Sequence, residues 1–178
     1  MKKPAIVTSE IQAIRTPDIA QTRAIFITYF TDLYKEQSPA ELGIVGPIAT
    51  YLNNIFIKTE QALLAKRLQL AFAYIANAVV GITTYKLCAD GQVILIRTLP
   101  ISLAYKEQEL AIRSALIQHV SKQYSSAQKI LVMVRKANIK HAQLCLQGGF
   151  KFNNTVFATV DCIKTDYSAC HYDAYVYG

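Results

Sequence analysis

The chain has 178 residues, enough for one substantial hydrophobic core and too few for two, so one domain spanning residues 1–178 is expected. Apolar residues make up 52% of it and charged residues 17%, which excludes an intrinsically disordered chain and favours extensive burial or self-association as a homodimer. The net charge of +7 suits an acidic partner, but only Lys2-Lys3, Lys66-Arg67 and Arg135-Lys136 are adjacent cations, so no nucleic-acid-binding stripe is visible.

Ala5–Ile14 alternates loosely and ends at Arg15, which predicts a first strand. Thr16 then offers an N-cap, Pro17 a first helical position and Asp18 a charge suited to the helix dipole, and Phe26, Phe30 and Leu33 repeat at helical spacing. Ser38-Pro39-Ala40-Glu41 repeats the start signal with a capping-box glutamate. After Gly43 and Gly46-Pro47, the residues Ile48, Leu52, Ile55 and Phe56 resume a helical stripe that runs to about Ala65.

Leu68 to Tyr85 carries no charge over 18 residues, the length at which a membrane helix becomes a candidate. Gln69, Asn77, Thr83 and Thr84 are poor company for a bilayer core, and Val79, Val80, Ile82 and Tyr85 are strong strand formers. Two strands, Leu68–Ile75 and Ala78–Leu87, meeting at Ala76-Asn77 are therefore expected, and no membrane partner.

Ala89-Asp90-Gly91 is a hairpin signal leading into a fourth strand, Gln92–Leu103. Pro100 within it demands a bulge or an unpaired position, because proline donates nothing to a ladder. Lys106–Tyr124 reads as a helix with Leu110, Ala111, Leu116, Ile117 and Val120 available for burial. Ile130–Val134 is an uninterrupted apolar run, suited to a strand covered on both faces. Asn138 can cap the helix that follows, Ala142, Leu144 and Cys145 fall on or near one face of it, and Gly148-Gly149 stops it before Phe150. Asn153–Cys162 and Cys170–Tyr177 read as two final strands.

Cys88, Cys145, Cys162 and Cys170 show no paired spacing, and no apolar leader follows Met1-Lys2-Lys3, so a reducing cytoplasm is the expected location. No metal site is expected: Cys170 and His171 are neighbours, and neighbours on a strand point to opposite faces.

The run from Lys129 to Phe152 places an apolar strand before N-x-x-x-A-x-L-x-x-x-x-G-F, with Asn138, Ala142, Leu144, Gly149 and Phe150 in those positions. Upstream, the strand ending at Leu103 leads to Gln108-Glu109-Leu110-Ala111-Ile112-Arg113 and a helical run. Both features resemble the GNAT superfamily of acyl-CoA-dependent N-acetyltransferases, whose corresponding loop has the form Q/R-x-x-G-x-G/A. The resemblance implies an α/β fold with a mixed, bent sheet of about seven strands and about four helices. It also implies acetyl-CoA or another acyl-CoA as donor. Gln108 keeps the first loop position, while Ala111 and Arg113 stand at the two glycine positions. The resemblance gives the backbone of Leu103 and of Val132 to Val134 the task of holding the donor, and Asn138 a contact with its pantetheine arm. Cys145 stands where the family often has the tyrosine that protonates the departing CoA thiolate, and a bulge near Pro100 would open the gap in which pantetheine lies.

Each of these residues also has a purely structural reading. Asn138 is an ideal cap, Cys145 a common core residue, and Glu107 and Glu109 occupy the place an anion would take at a helix start. The fourth strand offers no carboxylate as catalytic base; Thr98 or Ser102 could orient a water, and Tyr85, His141, His171 or Asp173 would otherwise have to serve. His141 could sit at the surface by its polarity. Two functions are therefore expected from the sequence: acyl transfer from acyl-CoA to an amine or protein acceptor by direct attack, or a GNAT-shaped binding module without catalysis. Tyr29, Tyr34, Tyr51 and Tyr167 suit an apolar or peptide acceptor better than a polyamine.

Overall fold

Side chains alternate across a strand, so a sheet buried on both faces needs apolar residues at both parities. The computed structural model describes residues 11, 13–15, 22, 46–88, 93–96, 103–124, 126–127, 129–164 and 167–178. Its strands are β1 Ala13–Arg15, β2 Gln69–Ile75, β3 Ala78–Leu87, β4 Val93–Ile96, β5 Lys129–Arg135, β6 Lys151–Phe152 and β7 Tyr172–Tyr177. They form one seven-stranded sheet in the order β1-β2-β3-β4-β5-β7-β6. Only β4 and β5 run parallel; the other neighbours are antiparallel. The sheet is mixed, bent and unclosed.

The charge-free stretch is the hairpin of β2 and β3, turning at Ala76 and Asn77, whose φ values are +47° and +63°. Left-handed φ at both central residues is the requirement of the tight hairpin turn that matches strand twist. No helix among the described residues is long and apolar enough to cross a membrane.

Helices α1 Ile48–Leu64, α2 Glu109–Gln123 and α3 Ile139–Gln147 accompany a first core. Phe56, Ile112, Leu116, Ile117, Val120, Cys145 and Phe150 meet Ile94, Ile96, Ile130, Val132 and Val134 there. The other parity of the same strands, Val93, Leu95, Leu131 and Met133, packs a second core with Ala174, Val176, Val156 and Ile163. Hence the apolar run of β5 is covered on both faces, as its composition predicts. Gly81 lets α2 approach β3: a Cβ there would lie 2.5 Å from Ile112 Cγ2 and 3.0 Å from Leu116 Cδ1.

Three expectations are corrected. Asn153–Cys162 is not a strand: β6 ends at Phe152, and two short helices follow, α4 Val156–Thr159 and α5 Asp161–Lys164. The β-branched residues favour a strand locally, but Asn153 Oδ1 accepts hydrogen bonds from the backbone N–H and the hydroxyl of Thr155, at 3.1 and 2.6 Å. That side chain turns the chain, and burial of Val156 and Ile163 holds the result. Among the described residues this segment raises the helix count to five.

Second, Leu103 does not end the fourth strand. It opens a 3-10 turn, Leu103–Gln108, that runs directly into α2. Leu103-Ala104-Tyr105 precedes a strong helix former and is drawn into its start. Pro100 and the predicted hairpin at Asp90-Gly91 lie outside the described residues, as do the two helices predicted between Thr16 and Gly43, apart from Thr22.

Third, Cys88 and Cys162, which show no paired spacing in the sequence, form a disulfide across 74 residues. Sequence spacing gives no hint of a bond this remote. It ties the end of β3 to α5 beside the second core.

Candidate donor-binding site

Register fixes the geometry. The parallel ladder pairs Val93 with Lys129 through Ile96 with Val132. β5 then continues through Met133, Val134 and Arg135, paired with β7 on its other edge. Among the described residues, the β4-side edge of those three residues has no ladder partner. Val132 and Val134 point into the first core and are buried, so what they offer a ligand is main chain only.

At the carboxyl end of β5 the chain turns at Asn138, whose Oδ1 accepts a hydrogen bond from the backbone N–H of His141 at 3.1 Å. Asn138 is thus the N-cap of α3, as its position predicts. Gly148 caps the other end, and Gly149, with φ +87°, takes the conformation that ends the helix before Phe150.

Gln108 is the residue before α2 and makes no side-chain cap bond to it. The positions of the family's two loop glycines lie in continuous helix, within the predicted Lys106–Tyr124: Ala111, exposed, and Arg113 are the third and fifth residues of α2. Arg113 folds back along the helix. Its Nη2 and Nε donate to Glu109 Oε1 at 2.9 and 3.1 Å, and its Nη1 lies 3.4 Å from His141 Nε2. Lys140 Nζ stands 3.8 Å from the other oxygen of Glu109. One carboxylate is therefore shared by two cations, and the N-terminal turns of α2 and α3 are joined through it.

His141, expected at the surface, is 6% exposed. Burial, and secondarily the Arg113 guanidinium, pushes its pKa down to about 3, so the imidazole is neutral near pH 7. A neutral ring facing an arginine takes its hydrogen bond on Nε2 and keeps its proton on Nδ1. Cys145 lies one turn further along α3, buried in the first core. Burial pushes its thiol up to about 11, with Arg113 acting weakly the other way. Tyr175, on β7, is also raised, by burial and then by Asp173 and Cys145.

The remaining candidate bases are engaged or elsewhere. The Tyr85 hydroxyl donates to Gln123 Oε1 at 2.6 Å, and burial pushes its pKa up to about 12. Asp173 accepts from Asn154 Nδ2 at 2.9 Å and has Lys136 Nζ at 3.9 Å. His171 is exposed on the approach to β7. Thr98, Ser102, Tyr29 and Tyr34 lie outside the described residues. The cluster of Glu109, Arg113, Lys140 and His141 is what sequence reasoning did not assemble, although the spacing of Asn138, His141 and Cys145 at i, i+3 and i+7 already puts the histidine on the buried side of α3.

By sequence, the chain matches no protein-family model and no curated protein. Solved structures match it closely in shape. An acetyltransferase from Thermus thermophilus superposes with a TM-score of 0.67 at 14% identity, covering 94% of this chain and 97% of that one. A GNAT-family acetyltransferase from Staphylococcus aureus gives 0.65 at 11% identity, over 92% of this chain and 96% of its own. The PaiA N-acetyltransferase of Thermoplasma acidophilum, solved in complex with coenzyme A, gives 0.65 at 13% identity over 92% and 96%. With the strand order, the parallel β4–β5 pair and the capped α3, these likenesses establish that the chain has the GNAT fold.

Proposed function

We propose that this protein, acting as a single domain, binds an acyl-CoA and transfers its acyl group to an amine by direct attack. The observation that carries the reading is one juxtaposition: the main chain of β5 beyond Val132, which has no β4-side ladder partner among the described residues, leads into the N-terminus of α3, and that terminus is joined to the start of α2 through Glu109, Arg113 and His141. Backbone N–H groups at a helix N-terminus suit a diphosphate. Glu109 alone would repel one, but it is matched by Arg113 and Lys140, so the cluster carries one net positive charge and fits the group. Gln108, Ala111, Arg113 and Lys140 would border the diphosphate, and the main chain of Val132 to Val134 and the turn at Asn138 would border the pantetheine arm. The coenzyme A complex of the Thermoplasma protein supports this reading.

In the reaction the amine nitrogen bonds to the acyl carbon, the carbon–sulfur bond breaks, and the sulfur leaves with the electron pair. The ammonium proton passes to the thiolate or to solvent. Positioning carries most of the rate in this reading, because no described side chain is a poised acid or base. Cys145 is a poor donor: at about 11 its thiol is some two units less acidic than an ordinary thiol.

The second reading, a binding module of the same fold without turnover, is favoured by one observation. The arginine that replaces the second loop glycine is committed to Glu109 and His141. Thiol release from acetyl-CoA, followed across a panel of amines and peptides, tests between them. Turnover with any acceptor supports the transferase; tight acetyl-CoA binding with no turnover across the panel supports the module.

A further inference from the structure

Arg135 closes β5, and its register partner is Tyr172, the first residue of β7. Strand alternation puts both on the sheet face of the second core, with Leu131, Met133 and Ala174. Val132 and Val134 point the other way, into the core shared with α2 and α3. The guanidinium carbon of Arg135 lies 5.3 Å from the centroid of the Tyr172 ring. The Tyr167 ring meets Tyr172 edge-on, at 5.0 Å and 89°.

Arg135 is half-buried, and among the described residues no carboxylate pairs with it. Asp173, which follows Tyr172 on β7, has the opposite parity and is held by Lys136 and Asn154. A guanidinium stacked on an aromatic ring keeps its planar fork oriented at little further entropic cost, which is the arrangement that receives a carboxylate bidentately. Its place also matters. Ligands of open α/β sheets bind beyond the carboxyl ends of the parallel strands, and Arg135 sits there on the face opposite α2 and α3. An amine attacking a donor seated against those helices would reach it from the Arg135 side.

We infer that Arg135, stacked on Tyr172, binds a carboxylate of the acceptor, so that the acceptor is an amino-acid-like or peptide-like amine bearing a free carboxylate. This rests on the acyl-transfer reading above and gives it a substrate class. A polyamine is disfavoured twice, by this cation and by the net charge of +7.

The test uses the full chain and two probes, the dipeptide Ala-Phe and its C-terminal amide, titrated with and without CoA and followed by NMR. The free acid should bind about tenfold tighter than the amide, the size of one charge-assisted pair. Arg135→Gln should erase that preference, and Arg135→Lys should keep part of it, with acetyl-CoA affinity unchanged in both. Should the glutamine variant melt early, the lysine variant carries the comparison, with acid binding weakened and amide binding untouched. Equal binding of acid and amide, binding of neither, or a preference that survives Arg135→Gln would overturn the proposal. So would a loss of acetyl-CoA affinity in Arg135→Lys, which would put the cation on the donor. A wild type that fails to bind acetyl-CoA yet prefers the acid would instead overturn the acyl-transfer reading, and the acceptor assignment with it.

Discussion

Arg113 and Glu109 form a two-bond fork one helical turn apart, with both side chains almost out of solvent, at 11% and 13% exposure. The same arginine reaches His141 on α3, so one side chain joins the starts of two helices. Removing it takes the two close hydrogen bonds from a largely buried carboxylate and leaves it the more distant Lys140. Arg113→Ala should therefore destabilise the fold by about 2–3 kcal/mol, and Arg113→Lys should recover less than half, because an ammonium cannot reproduce the fork. Denaturant melts of the two variants check this.

His141 predicts how stability responds to acid. Its folded pKa, about 3, lies below the ordinary 6.5, so between those values the unfolded chain binds the proton and the folded one does not. The contribution is complete above about pH 6.5 and is lost as pH falls toward 3. Its full extent is on the order of 5 kcal/mol. His141→Gln keeps an acceptor for Arg113 without titrating, and its stability should be flatter than wild type over that window. Equal slopes in urea melts at pH 6.5 and 4 would contradict the buried neutral imidazole.

Cys145 separates core from catalyst. With its thiol buried in the first core, Cys145→Ala should cost about 1–2 kcal/mol of stability through the cavity left behind. Turnover, where found, should stay within about threefold of wild type. A hundredfold fall in turnover at unchanged acetyl-CoA affinity would make the thiol the proton donor after all. Because its folded pKa is raised to about 11, the favourable burial of the thiol persists below the ordinary thiol value and is lost as pH rises toward 11.

Gly81 is the contact point of α2 on the sheet. A methyl there would overlap Ile112 Cγ2 at 2.5 Å and press on Leu116 Cδ1 at 3.0 Å, both fully buried. Gly81→Ala should destabilise by roughly 2 kcal/mol, against the small gain usual for such a change in a strand. A melt equal to wild type would mean that α2 lies further from β3.

The legible parts of this fold are those where local chemistry and tertiary packing agree. Ile130 to Val134 needed two covered faces and has them, and Asn138 with Gly148-Gly149 bracketed α3 at both ends. Ala76-Asn77 was readable as a turn because strand formers end on both sides of it. Asn153–Cys162 was not readable: its β-branched residues argue for a strand, and only the side chain of Asn153 and the burial of Val156 and Ile163 decide for helices. The Cys88–Cys162 bond and the Arg113–His141 contact both join segments distant in sequence, where spacing carries no signal. At the candidate site, Asn138 was legible as a cap, while the reach of Arg113 across to His141 on α3 was not.

Calorimetry of acetyl-CoA against the wild-type chain at moderate ionic strength decides whether the fold holds a donor. The arrangement of α2, α3 and β5 predicts one site per chain with a dissociation constant of about 0.1 mM, weakened by the helix that replaces the phosphate loop yet kept by the matched charge of Glu109. Absence of heat and of any thermal shift at concentrations of about 5 mM would leave the GNAT fold without a donor site and remove the basis for acyl transfer.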